Sequence, residues 1–202
     1  MAEGQLIDTR PARFMTWFAL IFALATDAAY LLLILGQGGS KPDIVTVGFV
    51  ASYLALLAAL LAASLSRSWS ASVRLSLRAA ATGGLLVLGV LAIFSIGLPL
   101  LIAGAMATGA TVRTLRGPFL TASSLSAVAA AAVAVVVLVA GFEVTERLIV
   151  CPAHGSSGGG GTGLVTGPYY YDCINGQLTF HSGSCASAAS IDSNGNVTHP
   201  GC

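Results

Sequence analysis

Residues 14–35 form an apolar run of Phe, Trp, Leu, Ile and Ala broken by one charged side chain, Asp27. A helix needs about 20 mostly apolar residues to cross about 30 Å of hydrocarbon. Similar runs recur at 44–65, between 79 and 112, and at 120–141. Only 8% of the chain is charged while 55% is apolar, whereas a soluble domain carries about a quarter charged residues. Nine basic residues nearly cancel eight acidic ones, so no net field attracts polyanions and nucleic acid is excluded as a partner. These features describe an all-α polytopic membrane bundle with a small polar appendage, embedded in a lipid bilayer. The strong preference for Arg over Lys, with Lys41 the single lysine, points to a GC-rich bacterial source.

Arg10 and Arg13 precede the first run. Ala23-Leu24-Ala25 offers a signal-peptide cleavage site, but the apolar run continues through Leu35, past the end of an ordinary h-region. An uncleaved anchor helix is therefore expected. Gly-Gly-Ser-Lys-Pro then breaks the chain before a second span at 44–65. Over 66–78, Arg67, Arg74 and Arg78 share one helical stripe, with Trp69, Val73 and Leu77 on the other side. This pattern predicts an interfacial helix with its arginines and Trp69 facing the lipid headgroups. A cytoplasmic loop whose arginines only set topology is the plainer alternative.

A single helix over 79–112 would be about 50 Å long, too long for the hydrocarbon. Gly97 allows a turn and Pro99 suits the first turn of a new helix. Two short spans, 79–96 and 98–113, are therefore expected, followed by 120–141. The total is five crossings, with four as runner-up. A hairpin at Gly97 keeps Arg10, Arg13, Arg67, Arg74, Arg78, Arg113 and Arg116 on the cytoplasmic side, which the positive-inside bias favours. The resulting topology is a multi-pass plasma-membrane protein with a cytoplasmic N-terminus (1–13), a bundle at 14–141 and an extracytoplasmic C-terminus. Gly83, Gly84, Gly89, Gly104, Gly109 and the alanines of 129–134 predict close helix packing, within one bundle or in a homo-oligomer. Asp27 is the intramembrane polar candidate, a site for a proton or cation. Its neutral candidate partners are Thr26, Tyr30, Ser52 and Tyr53, and a plain hydrogen bond to a neighbouring helix is the simpler role.

Beyond Gly141 the composition changes. Residues 142–163 read as a Gly/Ser-rich linker, and 164–202 as a small β module with hairpin turns at Asn175-Gly176 and Asn194-Gly195. A module of this size needs cross-links. Cys151, Cys173, Cys185 and Cys202 supply two disulfides in any of three pairings, given an oxidising compartment. A minority alternative is a metal site of Cys151, His154, His199 and Cys202. No phosphate-binding, zinc-protease or C-x-x-C motif is present in the sequence, so neither an enzyme nor a cofactor is expected. Two functions remain: an accessory envelope protein presenting the disulfide-stabilised module to a partner, and a small transporter or ion-conducting protein using Asp27.

Overall fold

A computed structural model describes residues 10–36, 44–94, 96–114, 122–149, 151, 153–183, 190–191 and 197–198. The described residues form five helices: α1 (Arg10–Gly36), α2 (Ile44–Leu65), α3 (Ala71–Leu91), α4 (Gly97–Thr114) and α5 (Ala122–Arg147). Strands β1 (Ser156–Gly163), β2 (Gly167–Ile174) and β3 (Gln177–Ser182) follow, then the short pair β4 (Ser190–Ile191) and β5 (Val197–Thr198). Helices α1, α2, α3 and α5 are long and apolar enough to cross a membrane. Helix α4 is shorter, at 18 residues, and less apolar. The chain divides into two compact units, one containing 1–42 and 47–138, the other 43–46 and 139–202.

Within the first unit α3 is the most enclosed of the four long helices. Its glycines explain why. A Cβ at Gly83 would meet Ala131 of α5 at 3.1 Å, one at Gly84 would meet Tyr53 and Leu57 of α2, and one at Gly89 would meet Leu101 of α4. In lipid, apolar side chains gain little by leaving the tails, so close backbone approach is the main source of attraction. Gly104 of α4 meets Leu86 and Gly109 meets Met15 of α1. All five glycines singled out in the sequence thus face close neighbours within one chain. On the outside, Phe14, Trp17 and Ile21 of α1 and Leu125, Val128 and Val136 of α5 are exposed. An apolar surface of this kind suits lipid rather than water.

The chain does turn between 79 and 113. Residues 92–94 and 96 lie in the turn, Gly97 N–H donates to the Ala92 carbonyl at 2.8 Å, and Pro99 sits in the first turn of α4 where its missing donor costs nothing. The separate interfacial helix over 66–78 is not observed. Ser70 caps a helix whose Val73 N–H reaches its hydroxyl at 3.4 Å, and that helix continues unbroken to Leu91. The expected span at 79–96 therefore begins eight residues early and carries Arg74 and Arg78 inside it. Helix α5 likewise runs past 141, through Glu143 to Arg147.

The linker over 142–163 is also corrected. Its first part is the end of α5 and its last part, 156–163, is strand β1, paired antiparallel with β2 in the order β1-β2-β3. The β2–β3 hairpin closes on Asn175 (φ 50°) and Gly176 (φ 83°), the left-handed pair that a two-residue turn requires. The turn expected at Asn194-Gly195 lies outside the described residues, although β4 and β5 pair antiparallel on either side of it.

Candidate functional site

The largest fully buried side chain of the described residues is a cation. Arg78 is 1% exposed. Its Nε donates to Ser64 Oγ of α2 at 3.4 Å and its Nη1 to Thr114 Oγ1 of α4 at 3.3 Å. Ser64 and Thr114 are themselves buried and each donates its own proton to a carbonyl of its own helix, at Leu61 and Ala110. Thr82 does the same to the Arg78 carbonyl. One guanidinium thus joins three helices, and Ser64 and Thr114 each accept from it while donating to a carbonyl. Burial of an unsatisfied charge costs several kcal/mol, and these bonds reduce that cost. Arg78 was expected to face lipid headgroups beside Arg67, Arg74 and Trp69. Instead it belongs to the core, while Arg67 and Trp69 are exposed and Arg74 is half-buried. Hydroxyl residues at the ends of the neighbouring spans are the signal that could have revealed this.

Asp27 is half-buried, and its Oδ1 is enclosed with no hydrogen-bond partner among the described residues. Three of its four expected partners are engaged elsewhere. Thr26 donates to the Phe22 carbonyl, Ser52 to the Gly48 carbonyl, and Tyr53 reaches across to the Ala134 carbonyl of α5 at 2.7 Å. No ring of polar groups surrounds the acid among the described residues.

In the second unit the sheet is attached to α5 and to the segment that follows it. Cys151 is bonded to Cys173 of β2, and Glu143 in the last turns of α5 accepts from Val165 N–H at 2.6 Å and from Thr166 Oγ1 at 2.8 Å. Val165 and Thr166 form the β1–β2 turn, so the carboxylate holds the sheet at one end and the disulfide at the other. With Cys151 so paired, the minority metal set loses one of its four members. His154 is exposed, while His199, Cys202 and Cys185 lie outside the described residues.

Side chains alternate across the sheet. One face carries Tyr169, Tyr171 and Cys173 of β2 opposite Ser182, Phe180 and Leu178 of β3. Tyr169 stacks on Phe180 with ring centroids 5.0 Å apart. The glycines of β1 make room for this layer: a Cβ at Gly159 would lie 2.7 Å from the Tyr171 hydroxyl oxygen, and one at Gly161 would lie 2.9 Å from that of Tyr169. The other face pairs Tyr170 with His181, stacked at 4.6 Å, and places His181 Nε2 3.7 Å from Asp172 Oδ2. Leu178 and Phe180 remain exposed on the aromatic face. The glycine run is therefore half of a packing arrangement, and neither Glu143 nor the Gly–Tyr pairing was visible without the register.

Compared with protein-family models, with curated proteins and with solved structures, the chain matches nothing, so its own residues carry the functional reading.

Proposed function

We propose that the protein is an accessory scaffold of a bacterial plasma membrane, crossing it five times, with its N-terminus in the cytoplasm and its sheet outside. Its task in this reading is to hold the aromatic sheet face toward a protein partner. The observation that carries it is the double attachment of the sheet, to α5 through Glu143 and to the segment after α5 through Cys151–Cys173. A merely tethered tail needs neither. Binding surfaces gain affinity when their ordering cost is met in advance, and aromatic side chains are enriched at such surfaces. The reading is non-enzymatic and needs no cofactor. A photo-reactive phenylalanine placed at Phe180 tests it in expressing cells. A discrete protein adduct is expected, absent when the same probe sits at lipid-facing Val136 and lost in the Cys173→Ser variant. No adduct at 180, or the same adducts at both positions, contradicts the scaffold reading.

The Oδ1 of Asp27, enclosed and without a hydrogen-bond partner among the described residues, supports a second reading, proton- or cation-coupled transport. Proteoliposome flux abolished by Asp27→Asn would favour it. Flux identical in both proteins, or absent from both, would dismiss it.

A further inference from the structure

We propose that Asn175-Gly176 is a self-modification site, where the asparagine amide is lost through a cyclic imide when the β2–β3 hairpin opens. The reaction is independent of which partner the sheet meets.

The chemistry lies within the chain and consumes only water. The Gly176 amide nitrogen gives its proton to hydroxide and attacks Asn175 Cγ. A C–N bond forms, the Cγ–Nδ2 bond breaks, and the leaving nitrogen takes a proton from water and departs as ammonia. Water then opens the imide at either carbonyl. Opening at Cγ leaves aspartate. Opening at the main-chain carbonyl leaves isoaspartate, whose backbone runs on through Cβ and Cγ. Asn175 and Gly176 are both exposed, so water and hydroxide reach them. Gly176 has no side chain to shield its nitrogen, and its N–H lies outside the ladder, which closes at Ile174 and Gln177.

The fold restrains this reaction. Among the described residues Asn175 is the one non-glycine with positive φ, at 50°. In the left-handed conformation that the turn requires, the Gly176 nitrogen sits across the Cα–C bond from the Asn175 side chain. The ring therefore cannot close without a rotation that breaks the turn. Two links hold the turn in place. Asn175 N–H donates to the Gly155 carbonyl at 3.0 Å, and Cys173, two residues before Asn175, is bonded to Cys151, four residues before Gly155. Reaction thus draws on the opened hairpin, whose population is set by local stability. Its isoaspartate product acts in one direction. An added main-chain atom alters a two-residue turn whose length fixes the strand register, so the hairpin does not close as before. Aspartate fits the original turn.

The test incubates the full chain in detergent, oxidised or reduced, beside a synthetic peptide of residues 169–182. Mass spectrometry reads the replacement of NH by O at residue 175, and an isoaspartyl methyltransferase counts isoaspartate. The peptide is expected to react fastest and the oxidised protein slowest. Reduction, or Cys173→Ser, should speed the protein about tenfold by enlarging the opened population. Alkaline buffer should speed every sample, because the attacking nitrogen must lose its proton. Reoxidised chains carrying isoaspartate should lack amide protection in β2 and β3, whereas Asn175→Asp keeps it. Equal rates in the oxidised protein, the reduced protein and the peptide would overturn the proposal, as would a reduced protein that never changes at residue 175. Full amide protection in isoaspartate chains would equally contradict it.

Discussion

Arg78 shows how a residue type misleads when taken without its neighbours. An arginine one turn after another arginine reads as surface, yet here it is fully enclosed between Ser64 and Thr114. Replacement by Ala leaves a cavity where a long side chain packed and removes the bonds to Ser64 and Thr114, so Arg78→Ala is expected to cost about 2–4 kcal/mol. Arg78→Met should cost clearly less. It restores most of the volume, and the Ser64 and Thr114 hydroxyls keep their own carbonyl partners. Thermal or denaturant unfolding in detergent separates the two, and equal losses would show that the charge matters more than the packing. Glycines permit a sharper contrast. A Cβ at Gly97 runs into the Gly89 and Ala92 carbonyls, backbone atoms that cannot step aside, so Gly97→Ala should destabilise by about 1–3 kcal/mol. A Cβ at Gly109 meets only the tip of Met15, so Gly109→Ala should be close to neutral in the same measurement.

At the level of elements, the apolar runs were legible because membrane helices need length and few charges, and both are counted directly in sequence. The turn at Gly97–Pro99 and the hairpin at Asn175-Gly176 were legible for a similar reason, since each depends on residues with local conformational preferences. Strand β1 was not. Five glycines in eight residues have no hydrophobic alternation, and their role appears only when Gly159 and Gly161 are set opposite Tyr171 and Tyr169. The start of α3 was misread because the amphipathic pattern of 66–78 has the same period whether its polar stripe faces water or a buried Ser and Thr. The attachment of the sheet yields two further expectations. Reducing Cys151–Cys173, which spans 22 residues, should cost the module about 3 kcal/mol while leaving the helical circular-dichroism signal intact. Glu143→Ala should speed amide exchange at Val165, whereas Glu143→Gln, which keeps a carbonyl acceptor, should speed it less. Unchanged exchange in both variants would remove Glu143 from the attachment.

Across the whole molecule, charge and hydroxyl placement divide the labour. Arginines collect around the starts of α1 and α3 and the ends of α2 and α4, small residues bring α3 against its neighbours, and the polar sheet follows the last turn of α5. The sequence alone could express the first two of these, because bias and spacing survive in one dimension. It could not express how the sheet is held, because Glu143, Val165, Cys151 and Cys173 come together only through the strand pairing. The scaffold reading depends on the sheet lying across the membrane from the arginines. Intact expressing cells treated with a membrane-impermeant reductant and then a membrane-impermeant thiol label test this directly, in a variant retaining only Cys151 and Cys173. Labelling of both cysteines without lysis is the predicted result. Labelling that requires permeabilised cells would place the sheet on the arginine side and contradict the account.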